Sequence, residues 1–283
     1  MVMKISIVMP VYNGERYLTG AIRSVLNQTY WDFELIIVND ASTDSSLKIA
    51  EEFAAKDDRI RVYTNEHNQK LPRSLNIGFS HCEGELYTWA SDDNLLLPEF
   101  CEEMHRAFIE HPEADVVFAR MNNMDENGRV FGTTQEPGEL NNIYIRNIVA
   151  ACFMYRRKVQ EELGGYDETK FLVEDYDFWL RAYEKYQFYY LPKILYSYRY
   201  HESSLTSRRW RDIKLRSALL LEDIEARTTD PHALEKIQTG LSGYYQALSH
   251  YYFQQVRAAG NSADCRHLLK DRGRKFISEL IKR

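Results

Sequence analysis

The sequence lacks an excess of positive charge, a framework of cysteines and any long apolar segment. The net charge is -6 and the isoelectric point is about 5.8. A general nucleic-acid binder carries a basic excess, so this composition argues against nucleic acid as a partner. The four cysteines are far apart and show no CxxC spacing. They therefore predict ordinary thiols in a reducing compartment, not a disulfide framework or a zinc site.

The chain also lacks a run that could cross a membrane. The longest uninterrupted apolar run is Ile148 to Tyr155, far below the roughly 20 residues that a spanning helix needs. The N-terminal segment has a single lysine, Lys4, and no small-residue cleavage site, so it predicts a first strand and not a secretion signal. We therefore expect a cytoplasmic protein.

Strands and helices alternate in the first part of the chain. Short apolar runs at residues 4–9, 33–40, 60–65, 85–90 and 115–120 are separated by segments with helical spacing. This alternation predicts right-handed βαβ units and an α/β fold with a mostly parallel, twisted sheet flanked by helices. Ligands of such sheets bind at the carboxyl ends of the strands.

The pattern changes after residue 120. A hairpin turn is expected at 125–128, a helix from about 174 to 185, and two late strands with the sequences FYYLP and ILYSYRY. From about residue 207 the chain is helical in character. This organisation predicts a catalytic domain over 1–206 and a helical C-terminal appendage over 207–283.

Acidic residues follow two of the predicted strands. Asp92 and Asp93 stand at the end of the fourth strand, and two adjacent carboxylates suit a hard divalent cation that also holds phosphate oxygens. Asp40 ends the second strand and can accept a hydrogen bond from the N3–H of uracil. Taken alone, each of these aspartates also fits an ordinary turn or helix cap.

Two further groups lie in the second half of the catalytic domain. Glu174 and Asp175 open a helix, where the helix dipole stabilises acidic residues, and a general base is the alternative explanation. His201 follows an aromatic-rich strand beside Arg199. An imidazole there can contact a diphosphate or a metal ion, although a lone histidine is more often structural.

The order of these motifs is more specific than any one of them. The sequence resembles the inverting glycosyltransferases of family 2, which have the GT-A fold. The resemblance runs from Ile5 to Thr206 and is carried by ISIVMPVYNGERYLTGAIRSVLNQTYWDFELIIVNDASTD, LPRSLNIGF, GELYTWASDDNLLLPEF, GGYDETKFLVEDYDFWLRA and YRYHESSLT. It implies a Mg²⁺ or Mn²⁺ cofactor and a nucleotide-sugar donor.

The resemblance also implies a role for each matching position. Asp92 and Asp93 are implied as the metal-binding motif, with Asp93 as the better ligand and Asp92 facing the donor ribose or sugar. Asp175 is implied as the catalytic base, with Glu174 next to it. The implied nucleotide contacts are Pro10, Val11, Tyr12, Glu15, Asp40, which recognises the base, and Arg73. The implied element that closes over the diphosphate contains Arg199, His201 and Ser203.

One departure from the family pattern leaves alternatives open. Many relatives have an aspartate two residues before the acidic pair, where this sequence has Ala90. A non-catalytic subunit that binds nucleotide sugars is therefore one alternative. A sugar nucleotidyltransferase is another, although PVYNGERYL lacks the Gly-rich signature with Arg and Lys that such enzymes carry.

The expected reaction is metal-dependent, inverting transfer of a sugar from a UDP-sugar to a hydroxyl of a glycan or lipid-linked acceptor, in the synthesis of cell-surface polysaccharide or glycolipid. Thymine offers the same N3–H as uracil, so dTDP stays an alternative. Residues 266–283 hold seven Lys or Arg against two acids. A basic amphipathic helix there could lie on the inner face of the membrane, or pack on the catalytic domain or a dimer partner, and Gly273 interrupts it.

Overall fold

The computed structural model describes the backbone of residues 3–258 and the side chains of residues 3–251. The chain forms two compact units. The first contains the chain up to Ile143 together with Asn147–Ser207, and the second contains Tyr144–Arg146 and the chain from Arg208 onward. The division into a 1–206 catalytic domain and a 207–283 helical appendage stays a prediction. The basic segment 266–283 lies outside the described residues.

The first unit is built on one mixed sheet, which has nine strands in the described part of the chain. The strands are β1 (Ile5–Val11), β2 (Phe33–Asn39), β3 (Ile60–Thr64), β4 (Leu86–Trp89), β5 (Leu95–Leu96), β6 (Val116–Met124), β7 (Val130–Thr133), β8 (Phe153–Arg156) and β9 (Phe188–Arg199). Their spatial order is β3-β2-β1-β4-β8-β6-β9-β5, and β7 pairs with β6 outside this path.

Six α-helices accompany these strands in the described residues of the first unit, and Leu140–Tyr144 and Glu168–Lys170 form two short 3₁₀ helices. The α-helices are α1 (Glu15–Leu26), α2 (Ser46–Ala54), α3 (Leu71–Ser80), α4 (Phe100–Glu110), α5 (Arg157–Leu163) and α6 (Glu174–Tyr183). In α1 the apolar residues Leu18, Ala21, Ile22 and Val25 recur at helical spacing, and all four are buried. This stripe faces the core, as the sequence pattern predicts.

The parallel half of the sheet is confirmed. β1 pairs in parallel with both β2 and β4, and β2 with β3. All seven residues of β2 are buried, which explains its continuous apolar sequence, because a strand covered on both faces needs apolar side chains on both.

The apolar run at residues 4–9 predicts a strand that ends at Pro10, but β1 continues to Val11. The last pair between β1 and β4 is Val8 with Trp89, and the Val8 carbonyl accepts a hydrogen bond from the Ala90 N–H. Alternate residues of a strand direct their backbone N–H and C=O groups to opposite neighbouring strands. Pro10, which has no N–H, faces the β4 side of β1 at a point beyond the last pair between the two strands. The proline therefore costs no ladder hydrogen bond, and the two strands diverge at their carboxyl ends.

The other half of the sheet is mixed, where mostly parallel pairing was expected. β8 lies antiparallel between β4 and β6, whereas β6 and β9 are parallel. The two predicted late strands form one strand, β9. Pro192 and Lys193 are exposed at the point where the register with β6 shifts, as expected for a proline accommodated at a bulge.

The second unit is helical in its described part. Its helices are α7 (Leu205–Glu225), which is kinked at Arg209, and α8 (Pro231–Ala258). Residues 226–230 separate these two helices. Asp230 caps α8, because its carboxylate accepts hydrogen bonds from the N–H groups of His232 and Ala233. No helix within residues 3–258 is long and apolar enough to cross a lipid bilayer.

Candidate active site

The loop after β1 is tied to the loop after β2. Asn13 has a positive φ of 54°, which asparagine tolerates better than most residues. Its side-chain oxygen accepts a hydrogen bond from the Thr43 N–H at 2.8 Å, and its own N–H donates to Ser42 Oγ at 3.0 Å. The Gly14 N–H donates to Ser46 Oγ at 2.9 Å. These bonds fix the backbone at the carboxyl ends of β1 and β2.

The side chains of the predicted nucleotide contacts in this loop differ in their exposure to solvent. Tyr12 is 53% exposed, whereas the side chain of Val11 is buried in the core, so Val11 has only its backbone to offer a ligand. Pro10 is half-buried beside them. The Glu15 carboxylate accepts a hydrogen bond from the Ser45 N–H at 2.9 Å, at the start of α2, so it also holds the neighbouring loop.

Asp40 lies at the end of β2 and is only 4% exposed. One of its oxygens accepts hydrogen bonds from Asn65 Nδ2 at 2.8 Å and the Gln69 N–H at 2.7 Å, and the other accepts from the Lys70 N–H at 3.0 Å. A carboxylate offers about four acceptor positions, so about one is left for a ligand. Arg73, in the first turn of α3, is half exposed and pairs with Glu168 at 3.4 Å.

Asp92 packs against the loop after β1. Its carboxylate accepts a hydrogen bond from the Tyr12 N–H. A Cβ atom on Gly14 would lie 2.1 Å from Asp92 Oδ2, so glycine is required for this approach. Burial, and after it the charge of Asp93, raise the pKa of Asp92 to about 8.

Asp93 faces the segment that follows β9. Its Oδ2 lies 3.0 Å from Nε2 of His201, whose Nδ1 lies 2.7 Å from Ser203 Oγ. The His201 side chain is largely buried and its ring lies 5.0 Å from that of Tyr17. Because a serine hydroxyl can either donate or accept, Ser203 supports either tautomer of the imidazole.

The Arg199 guanidinium contacts the backbone of the loop that contains Asp93. Its Nε donates to the Asp93 carbonyl at 2.8 Å, and its Nη1 donates to the Glu126 carbonyl at 3.2 Å in the hairpin turn between β6 and β7. Its guanidinium also lies 4.5 Å from the ring centroid of Tyr17. These contacts connect the loop that contains Asp93 to the hairpin turn. The contact of Arg199 with the diphosphate stays a prediction.

Asp175 lies in the first turn of α6, as predicted. One oxygen accepts a hydrogen bond from the Tyr176 N–H at 2.7 Å, and the other accepts from Asn147 Nδ2 at 2.9 Å. Burial nevertheless raises the pKa of Asp175 to about 6. The helix terminus was expected to favour the anion, but desolvation outweighs it. The neighbouring Glu174 is buried as well.

The donor set fits a hard divalent cation. Asp92 and Asp93 supply carboxylate oxygens, the ligands that Mg²⁺ and Mn²⁺ favour, and His201 places an imidazole nitrogen beside Asp93. Within residues 3–258, however, no three His, Cys, Asp or Glu side chains form a ready-made metal cage. A cation bound here would therefore draw part of its coordination shell from a ligand.

Some of the residues that shape the site carry no recognisable sequence pattern. Asn147 contacts Asp175 from 28 positions away, and Asn65 contacts Asp40 from 25 positions away. Gly14 is visible in the sequence, but its contact with Asp92 is not. The sequence signal at Asn147 is a polar residue before an apolar run, which many loop residues share.

The contact between Gly14 and Asp92 leads to a prediction. Gly14→Ala should displace the Asp92 carboxylate and weaken Mn²⁺-dependent binding of UDP about tenfold, a typical cost of disturbing a group that orients a metal site. Isothermal titration calorimetry measures this. Gly20→Ala is the matched control, because a Cβ there meets only Leu95 at 3.8 Å and should leave binding unchanged. Equal affinities for the two variants would contradict the prediction.

Comparison with known sequences places the chain in a family. The profile described as Glycosyl transferase family 2 matches residues 6–164. The putative glycosyltransferase EpsE of Bacillus subtilis (strain 168) is 33% identical over 77% of this chain and 80% of its own length. The glycosyltransferase GlyA of Streptococcus pneumoniae is 30% identical over 74% of this chain, which spans only 32% of GlyA. The chain belongs to glycosyl transferase family 2 and is a glycosyltransferase.

Solved structures confirm the GT-A fold. Staphylococcus aureus TarS 1–349 in complex with UDP-GlcNAc matches with a TM-score of 0.66 and 21% identity, over 97% of this chain and 92% of that one. The mannosyltransferase PcManGT from Pyrobaculum calidifontis, in complex with GDP-Man and Mn²⁺, matches with a TM-score of 0.68 and 14% identity, over 100% and 79%. The family assignment also decides against a nucleotidyltransferase.

Proposed function

We propose that this glycosyltransferase moves a sugar from a nucleotide diphosphate donor to an acceptor hydroxyl, with a divalent cation and with inversion at the anomeric carbon. The observation that carries this proposal is the position of the acidic pair. Asp92 rests on the loop after β1, and Asp93 faces His201 across the same end of the sheet. This is the edge at which ligands of such sheets bind.

A UDP-sugar is the proposed donor. Asp40 keeps about one acceptor position for the N3–H of uracil, and the exposed ring of Tyr12 can cover the base. The complexes of TarS with UDP and UDP-GlcNAc support this choice. The PcManGT complex holds GDP-Man, and thymine shares the N3–H of uracil, so the other nucleotides belong in the test.

Asp93, Asp92 and His201 would hold Mg²⁺ or Mn²⁺. When bound, the cation neutralises charge on the diphosphate leaving group. The presence of Mn²⁺ in the PcManGT complex supports the choice of metal. The chain's own contribution is geometric, because Arg199 fixes the backbone of Asp93 and Ser203 orients the imidazole of His201.

Asp175 is proposed as the general base. An acceptor hydroxyl is a weak nucleophile, so it needs a positioned group to take its proton as the new bond forms. A carboxylate with a pKa near 6 is ionised at neutral pH and is a stronger base than an exposed aspartate. Attack from the face opposite the diphosphate inverts the anomeric centre in one displacement.

The proposed acceptor is a glycan or a lipid-linked sugar of a cell-surface polysaccharide or glycolipid, made on the cytoplasmic side of the membrane. Segment 266–283 could contact anionic lipid, or pack on the catalytic domain or a second copy of the chain. Co-sedimentation with anionic liposomes separates these alternatives, since deletion of 266–283 abolishes binding only if the segment is the contact.

A donor screen tests the proposed function. Nucleotide sugars with uracil, thymine and guanine bases are compared by thermal shift in Mn²⁺, and hydrolysis of the best donor is then followed without acceptor. We expect a UDP-sugar to raise the melting temperature most and to be hydrolysed slowly. Stabilisation without any hydrolysis would instead indicate a non-catalytic binding subunit, and no response to any donor would contradict the proposal.

A further inference from the structure

The side chain of Asn147 connects two features of the site. Asn147 lies in the loop that precedes β8 and is half-buried. Its Nδ2 donates a hydrogen bond to Asp175 Oδ2 at 2.9 Å, and its Oδ1 accepts one from the Ala150 N–H at 3.0 Å. Ala150 has a positive φ of 53°, an uncommon conformation for alanine. The amide oxygen of Asn147 therefore stabilises its own loop, and the amide nitrogen binds the Asp175 carboxylate.

These two contacts determine the orientation of the amide. If the amide were turned over, its oxygen would face the Asp175 carboxylate and its NH₂ group would face the Ala150 N–H, which would place like groups together at both ends. Only the observed orientation satisfies both partners, so the Asn147 donor is directed at Asp175 by the fold of its own loop.

We propose that Asn147 is a positioning residue, which holds the carboxylate of Asp175 in the orientation from which it takes the proton of the acceptor hydroxyl. This inference rests on the proposed function of Asp175. The Tyr176 N–H fixes one oxygen and Asn147 fixes the other, so the carboxylate cannot rotate. The Asp175 N–H also donates to the carboxylate, so about one of its four acceptor positions stays unused, and that position faces a constant direction.

Asn147 also favours the ionised form of Asp175. Donation to a carboxylate lowers its pKa, which works against the raising effect of burial. The titratable groups nearby come from separate elements: Glu174 precedes Asp175 in the chain, Tyr166 follows α5 and Tyr198 lies on β9. Burial raises the pKa values of both tyrosines, and the charge of Asp175 raises them further. For Asp175 itself the causes are burial, which raises the pKa, and the hydrogen bonds from Tyr176 and Asn147, which lower it.

The sharpest test is Asn147→Asp. This variant keeps the oxygen that accepts from the Ala150 N–H, so the loop retains its hydrogen bond. It replaces the donor to Asp175 with a second carboxylate oxygen. Asn147→Ala removes both contacts. Asn142→Asp is the matched control, because the Asn142 amide in the same region donates to the Pro137 carbonyl.

Two measurements report on the full-length variants. A ¹³C NMR titration of the Asp175 carboxyl group, assigned by comparison with Asp175→Asn, gives its pKa without any substrate. The pH profile of UDP release, measured with the UDP-sugar that the donor screen selects, gives the acidic limb of kcat/KM. Asn147→Asp should raise both values by about one unit or more, as a neighbouring like charge does. Asn147→Ala should raise them less, and Asn142→Asp should leave them unchanged.

The outcomes separate this inference from the proposed function. If Asn147→Asp folds with the wild-type melting temperature and leaves both the titration and the acidic limb unchanged, Asn147 only supports its loop and the inference is overturned. If the titration shifts but Asp175→Asn keeps wild-type turnover, the contact is real, Asp175 is not the base, and the positioning role in catalysis falls with it. A shift in both measurements with an inactive Asp175→Asn supports the inference.

Discussion

Asp175→Asn should reduce sugar transfer by roughly 10²–10⁴, the usual contribution of a positioned general base. The amide has the size of the carboxylate but cannot accept the proton of the acceptor hydroxyl. Binding of UDP and Mn²⁺ should stay close to wild type, because Asp175 makes its hydrogen bonds with Tyr176 and Asn147. Single-turnover assays with saturating donor, together with calorimetry of UDP, separate these two effects.

The substitution has one structural side effect that a second variant corrects. The amide introduced by Asp175→Asn has a single acceptor oxygen, whereas the two oxygens of the carboxylate accept from Tyr176 and Asn147 separately. In the double variant Asn147→Asp with Asp175→Asn the two side chains are exchanged, which restores the hydrogen bond and the net charge. This variant should regain stability and remain inactive, because the carboxylate is then on the wrong side of the pair. Recovery of turnover would show that the position of the carboxylate is unimportant.

The pH dependence of the wild-type enzyme gives a further check on the base. Burial raises the pKa of Asp175 from 3.8 to about 6. The base acts in its ionised form, so kcat/KM should be constant above this pKa and fall about tenfold per unit below it. A flat profile down to pH 5 would argue against Asp175. Glu174→Gln should have a milder effect if Glu174 only orients the site.

If Asp175→Asn retains wild-type turnover, Glu174 and Asp177 are the next residues to test. Asp177 is the weaker candidate, because its carboxylate pairs with Arg181 at 2.8 Å one turn further along α6. That ion pair also links α6 to the turn after α5, since Arg181 donates to the carbonyls of Leu163 and Gly165. Loss of Asp177 should therefore reduce stability before it reduces catalysis.

The parallel half of the fold was predictable because its information is local. Each strand from β1 to β4 is a short apolar run, and the helices between them show their spacing within one window of sequence. β8 was missed, because nothing in Phe153–Arg156 shows that it inserts antiparallel between β4 and β6. β5 has two residues and is defined only by its pairing with β9, so its own sequence contains no sign of it.

The same distinction applies to the site. Acidic residues at the ends of buried strands can be found from sequence, and so can an acidic pair that opens a helix. The contacts that orient them cannot, because they join distant parts of the chain. His201 was identified as a site residue, but its contact with Asp93, 108 positions away, was not predicted. The direction of the pKa shift at Asp175 was also missed, since a helix terminus is visible in sequence but the degree of burial is not.

Asp93→Ala should abolish the metal dependence of donor binding. Two carboxylates and one imidazole leave part of a six-coordinate shell open, so the diphosphate of the donor must supply the rest. Metal and UDP should therefore bind cooperatively to the wild-type protein, each weakly alone. Removing Asp93 should lower the affinity for UDP in Mn²⁺ by more than about tenfold, which is the loss expected for an outer-shell group alone.

Calorimetry of UDP in Mn²⁺ and in EDTA measures this effect directly. The wild type should bind UDP much more tightly in Mn²⁺, whereas Asp93→Ala should bind it with the same weak affinity in both. Asp58→Ala is the matched control, because Asp58 is exposed and precedes β3 at the opposite end of the sheet. Ser203→Ala should have an intermediate effect, since it loses only the hydrogen bond that orients His201. Equal affinity of the wild type for UDP in Mn²⁺ and EDTA would rule out the metal site, because no cation would then link the aspartates to the diphosphate.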